Sequence, residues 1–295
     1  MANESVTFDG SNDFATGGNI LSHECSTPFS FAFWTKITDR FNFILSKRDN
    51  TANSRGYSMY ITSSGLLEVC LCNTSGSSEI LVYSDTVVYT ANWRHIVVSY
   101  TGSGLASGVS IVIDGVQDTT SVGSDTLGTN TIVNAAEFNL SGRTNGDSGA
   151  FEGSLYEVGA YNKALSLVEA QEVYNSGVPE DLQTLSTSAD LTSYWKMGNG
   201  DTFPTLADNA GSNDLTMTNM AADNIVFDSP YMNLPRVPIF NNDLSVGFSQ
   251  TTYYYRAWNT NTNDWEFWNV TGNPDPNPPS GDPNTGVSLI GIEES

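Results

Sequence analysis

Between residues 5 and 163 the apolar side chains come in short runs, several of them alternating with polar ones, and each run ends at a turn-forming pair. Phe29-Ser30-Phe31-Ala32-Phe33-Trp34, Tyr57-Ser58-Met59-Tyr60-Ile61, Arg94-His95-Ile96-Val97-Val98-Ser99-Tyr100 and Val109-Ser110-Ile111-Val112-Ile113 read as strands. Asp9-Gly10, Ser64-Gly65, Thr101-Gly102 and Asp114-Gly115 read as the turns between such runs. Strands at this spacing predict an all-β antiparallel sandwich or jelly roll. One helix is predicted, over 164–175. Ser166 followed three residues later by Glu169 forms a capping box, Gly177 is a stop signal, and Leu165, Val168 and Val173 supply an apolar side.

After a polar linker at 178–188, a second strand-like unit begins at Leu191-Thr192-Ser193-Tyr194-Trp195. The texture changes beyond 231. Tyr254, Trp258, Trp265 and Trp268 lie in an aromatic stretch, followed by Pro274-Asp275-Pro276-Asn277-Pro278-Pro279 and a last strand-like run, Val287 to Ile292. The proline run suits an extended spacer. The expected divisions are 1–180 for the sandwich, 181–230 for a strand pair packing on it, and 231–295 for an extension or assembly arm.

Charge removes several classes of function. The chain has 33 acidic residues against 11 basic ones, a net charge of −22, yet only 15% of its residues are charged. A polyanion would be repelled, and no basic patch is interleaved with stacking aromatics, so neither nucleic acid nor an anionic membrane is an expected partner. With 39% hydrophobic residues the chain can build a core rather than remain disordered. Cys70 and Cys72 share one face of a strand about 6.5 Å apart, too far for the ~3.8 Å between β-carbons that a disulfide needs. Together with Cys25 they are expected to be packing thiols. The start, Met1-Ala2-Asn3-Glu4-Ser5, runs directly into a strand and lacks a secretory leader's pattern.

The pieces line up in order with a family. Phe8-Asp9-Gly10-Ser11-Asn12-Asp13-Phe14, Phe29 to Trp34, Ile44-Leu45-Ser46-Lys47, Trp93 to Tyr100, Val112-Ile113-Asp114-Gly115 and Phe151-Glu152-Gly153-Ser154-Leu155-Tyr156-Glu157-Val158 resemble the laminin-G/pentraxin-like branch of the concanavalin A-like jelly rolls over residues 5–177. Tyr194-Trp195-Lys196-Met197-Gly198 through Gly211-Ser212-Asn213-Asp214-Leu215 resembles the strand pair that usually opens such a domain, here placed after it. That order resembles jelly-roll virion proteins of marine bacteriophages.

The resemblance implies a calcium site, with Asp9, Asp13 and Glu157 at matching positions. Tyr156 replaces the aspartate usual before the glutamate, and the alternative reading is that Asp9 and Asp13 only shape their turn. It also implies glycan binding at the loops, with Arg143, Asn145 and Asp147 as candidate contacts, although these loops carry no aromatic platform. Catalysis finds no support. The Glu-x-Asp-x-x-Glu pattern of jelly-roll glycosidases does not occur, and Glu152 and Glu157 are five residues apart, which on a regular strand puts them on opposite faces. His95, alternating with Trp93 and Val97, reads as a core histidine.

The expected function is therefore non-enzymatic: a virion structural protein of decoration, head-fibre or tail-associated type whose jelly roll binds host or environmental glycans. The alternative is a lectin-like adhesin of a bacterial surface. In the first case the partners are other virion subunits, through self-association as a trimer or attachment to a capsid or tail shell. Tyr254, Trp258, Trp265, Trp268 and Leu289 would be the assembly residues.

Overall fold

The computed structural model of the protein describes residues 4–143, 149–230, 254–259 and 264–269. The chain divides into two compact units, Met1–Leu234 and Pro235–Ser295. Strands are numbered β1 to β19 in chain order.

In the first unit an eight-stranded sheet runs in the order β10 (Val116–Gln117), β9 (Val109–Ile113), β8 (Trp93–Tyr100), β3 (Phe29–Ile37), β13 (Glu152–Tyr161), β1 (Ser5–Asp9) and β17 (Ile225–Val226), with β14 (Leu191–Trp195) also paired to β13. A nine-stranded sheet runs β11 (Thr120–Asp125), β7 (Ser78–Val87), β6 (Leu66–Thr74), β5 (Gly56–Ile61), β4 (Asn42–Arg48), β12 (Asn139–Leu140), β2 (Phe14–Thr16), β16 (Leu215–Thr218) and β15 (Thr205–Leu206). Neighbouring strands in both sheets are antiparallel.

The alternation along the sequence decides which side chains meet between the sheets. Tyr57, Met59 and Ile61 of β5 and Leu67, Val69 and Leu71 of β6 point inward, opposite Phe29, Phe31 and Phe33 of β3 and Leu155 of β13. The intervening Ser58, Tyr60, Glu68, Cys70 and Cys72 therefore face outward. All three cysteines are free thiols and buried. The β3 run is buried at nearly every position because both of its faces are covered.

The outer cover is the helix α1 (Leu167–Tyr174). Its capping box is present, with the Glu169 amide donating to Ser166 Oγ and the Ser166 amide donating to Glu169 Oε2 at 2.9 Å. It stops at Asn175, whose φ of 45° is left-handed, two residues before Gly177. Leu165, Ala170 and Val173 pack on Val97, Val112 and Tyr161, while Val168 is exposed. His95 is buried against Trp34 and Tyr174, and burial lowers its pKa to about 3.

The segment 191–218 belongs to both sheets. One edge of the ten-residue β13 is shared: β1 pairs with Glu152–Leu155 and β14 with Val158–Tyr161. β16 pairs with β2 in the other sheet. Between the sheets, Trp195 stacks on Phe138 at 5.6 Å, and its indole N–H donates to the Asn213 carbonyl at 2.9 Å. Asp208 holds the intervening loop by accepting from the amides of Tyr194, Ala210, Gly211 and Asn213.

In the second unit β18 (Tyr254–Asn259) and β19 (Asp264–Asn269) form an antiparallel hairpin. Trp258 stands opposite Trp265, and Trp268 opposite Tyr255. The register thus places Tyr254, Trp258 and Trp265 in one alternating set and Trp268 in the other. Leu289 lies outside the described residues.

Candidate functional site

Among the described residues no helix covers the outer face of the nine-stranded sheet. Cross-strand register aligns Phe43, Tyr60, Glu68 and Tyr83 in a row across β4, β5, β6 and β7 on that face. At one end of this row is an open cavity of about 380 Å³, lined by Phe41, Phe43, Tyr60, Glu68, Arg143 and Gly149. That volume suits a small ligand such as one or two sugar rings.

The rings of Phe43 and Tyr60 lie 4.7 Å apart, and the Arg143 guanidinium sits 5.9 Å from the Phe43 ring centre. Arg143 is held by its Nη2, which donates to the Asp49 carbonyl at 2.8 Å and to Ser54 Oγ at 3.1 Å. Arg48 donates from Nε to the Ser54 carbonyl at 3.0 Å. Burial raises the pKa of Glu68, against the opposing pull of Tyr83 and Arg48.

Phe41 stands out. It is 62% exposed although large and apolar, and it holds a φ of 63°. A left-handed aromatic residue is disfavoured by roughly 1–3 kcal/mol, and such strain collects at functional positions. Nearby on the same face, Asn139 of β12 pairs with Ser46 of β4. Both are buried, and neither the Asn139 amide nor the Ser46 hydroxyl has a hydrogen-bond partner.

Of the residues expected from the sequence, Arg143 lines this cavity; Asn145 and Asp147 lie outside the described residues. Phe41, Phe43 and Tyr60 were not anticipated. Aromatics in strand-like runs read as core, and only the register shows that these face outward.

The carboxylates expected to hold calcium do not converge. Asp13 accepts from the Asp9 amide at 3.1 Å and from Asn224 Nδ2 at 3.0 Å, while Asp9 accepts from the Ser11 amide at 2.8 Å. These bonds shape the turn after β1. Glu157 lies further along β13, where its Oε2 accepts a short hydrogen bond from the Tyr194 hydroxyl. Burial raises its pKa to about 8, so it is mostly uncharged at neutral pH. Among the described residues no three His, Cys, Asp or Glu side chains come together as a metal site. An ion that needs six or more oxygens does not fit this set.

The expected opposition of Glu152 and Glu157 is also corrected. A bulge between Tyr156 and Gly159, with Glu157 at φ 49°, turns both glutamates to the outer side of the eight-stranded sheet.

Residues 8–171 match the sequence profile of the concanavalin A-like lectin/glucanases superfamily, and the chain belongs to that family. Among solved structures, a candidate carbohydrate binding protein from Bacteroides ovatus is similar at 17% identity and a TM-score of 0.50, over 74% of this chain and 58% of that one. A heptameric SAP-like pentraxin from Limulus polyphemus is similar at 15% identity and a TM-score of 0.42, over 58% of this chain and 81% of the pentraxin. The CBM40 of a Ruminococcus gnavus sialidase, bound to α2,3-sialyllactose, is similar at 17% identity and 0.42, over 50% of this chain and 82% of that one. No curated protein matches the sequence.

Proposed function

We propose that this chain is a non-enzymatic glycan-binding protein whose ligand lies on the outer face of the nine-stranded sheet, over Phe41, Phe43 and Tyr60. The observation that carries this reading is Phe41: a strained, exposed aromatic at the mouth of a cavity that also holds an arginine and a carboxylate. Sugars present apolar C–H faces and polar rims, so aromatic walls with a few placed polar groups match their chemistry. The unpartnered Asn139 and Ser46 are buried beneath the same face and call for ordered water there. Among the described residues Glu79 also lies on this face, opposite Cys72 and four positions along β6 from Glu68.

Phe41→Gly separates binding from folding. Glycine adopts the left-handed conformation freely, so stability should stay level or rise by up to about 1 kcal/mol. Affinity for whichever oligosaccharide a glycan array selects should fall roughly tenfold or more, equal to at least ~1.4 kcal/mol. Undiminished binding by this variant would remove the cavity from consideration.

For the carrier of this domain we favour a virion structural subunit, and the same face would serve an adhesin of a bacterial surface. The aromatic-rich sequence of the second unit supports an assembly role, because that many aromatics, if left exposed together, would exceed what a soluble monomer tolerates. If the proline-rich sequence at 274–283 is extended, it would reach about 30 Å, enough to carry Val287–Ile292 to a neighbouring subunit. Deleting residues 273–295 should lower the subunit number measured by light scattering. An unchanged mass, together with unchanged attachment to purified particles, would rule out an assembly arm.

A further inference from the structure

We propose that Glu68 makes this face selective for uncharged glycans over carboxylated ones; the inference rests on the glycan-binding reading above. Among the described residues that line the cavity Glu68 is the one acid, and it stands in the row between Tyr60 and Tyr83. A carboxylate is an acceptor with several lone-pair sites, and sugar hydroxyls are its natural donors. A uronate or sialate carboxylate placed there would meet a like charge at close range.

The arginines do not reverse this preference. Recognition of a carboxylate by arginine depends on two parallel N–H groups offered as a fork. In Arg143, Nη2 donates to the Asp49 carbonyl and Ser54 Oγ, and in Arg48, Nε donates to the Ser54 carbonyl and Nη1 to Ser58 Oγ. Both guanidinium groups are thereby oriented by the protein framework. Arg143 still borders the cavity beside Phe43. The net charge of −22 adds a long-range repulsion of anionic ligands that salt screens.

The test uses the full chain and matched probes: lactose against α2,3-sialyllactose, and galactotriose against trigalacturonate, each titrated at low and at physiological salt. Glu68→Gln keeps the shape and an acceptor oxygen while removing the charge. Glu79→Gln removes a charge from the same sheet face outside the cavity.

The wild-type chain should bind a neutral probe at least tenfold more tightly than its carboxylated counterpart. Glu68→Gln should shrink that ratio by tenfold or more with its thermal midpoint preserved, and Glu79→Gln should leave the ratio within about twofold. Equal binding of both probe classes by the wild type overturns the inference alone. So does an unchanged ratio in Glu68→Gln, or an equal shift in Glu79→Gln, which would assign selectivity to overall charge. Binding of no probe, together with an empty glycan array, would overturn the glycan-binding reading itself.

Discussion

A chain ending at residue 177 should fail to fold, and Trp195→Ala in the full chain should cost about 3–5 kcal/mol. The shortened chain still contains all of residues 8–171, the portion that matches the family profile. It lacks Trp195, Met197, Leu206, Leu215 and Met217, all of which lie in the main core. Burying a large apolar side chain is worth roughly 1.5–3 kcal/mol, so five of them approach the ~5–15 kcal/mol by which whole domains are stable. The loss also bares half of one edge of β13 and the edge of β2, where β14 and β16 pair. Unpaired edges promote aggregation, so the shortened chain should be insoluble or bind hydrophobic dyes. Trp195→Ala should in addition leave the Asn213 carbonyl without its indole donor. A shortened chain with a cooperative thermal transition like that of the full chain would refute this account of the trailing segment.

The second large effect is on pH dependence. Glu157 sits at the bulge where β1 gives way to β14 along β13, and Tyr194 of β14 donates to it. Burial raises its pKa from 4.5 to about 8, opposed by the nearby Lys196, whose ammonium pairs with Asp181 at 2.7 Å. The folded chain therefore holds a proton there that the unfolded chain has already released above about pH 4.5. Stability from this group is complete below that pH and is lost as pH rises towards 8, at up to about 1.4 kcal/mol per pH unit.

The two histidines act in the opposite direction. The pKa of His23 is lowered to about 4 and that of His95 to about 3, both mainly by burial, so their contribution falls as pH drops below 6.5. The pKa of Lys47 is lowered to about 8 by burial, and this matters only above that value. Between pH 6.5 and 8, Glu157 should therefore dominate. The wild-type thermal midpoint should decline by several degrees over that interval, given roughly 2–4 °C per kcal/mol for a domain of this size. Glu157→Gln, uncharged at every pH, should remove the decline. Parallel profiles for the two proteins would show that the carboxyl does not titrate in this range.

Much of the fold is legible in the residues because its signals are local. Alternation in 57–61 and 66–72 sets which side chains of β5 and β6 face the core. The capping box of Ser166 and Glu169 places the start of α1, and the end moves to Asn175 because a left-handed asparagine closes a helix as glycine does. Val168 misleads: an apolar residue among helical positions reads as inward-facing, but the turn to which it belongs packs through Leu165, Ala170 and Val173.

The candidate site is less legible, because a sandwich has two kinds of face and composition does not distinguish them. Phe43 and Tyr60 have the same strand context as Met59 or Val69, and a single register shift would exchange their positions. The bulge at Glu157 is one extra residue that reverses the parity on which the separation of Glu152 and Glu157 depends. Arg143 could be singled out from its loop, but the aromatic rings beside it come from β4, β5 and the turn at Phe41, about a hundred residues earlier.

By itself the sequence determined the sandwich, its helix, its acidic character and its family resemblance, since each rests on near neighbours, composition or the order of motifs. Only the tertiary structure decided that residues 191–218 complete both sheets, that Asp13 and Glu157 stand apart, and that Phe41, Phe43, Tyr60, Glu68 and Arg143 share one cavity. Those outcomes depend on strand register and bulges, which long-range packing between sheets selects and local pattern leaves open.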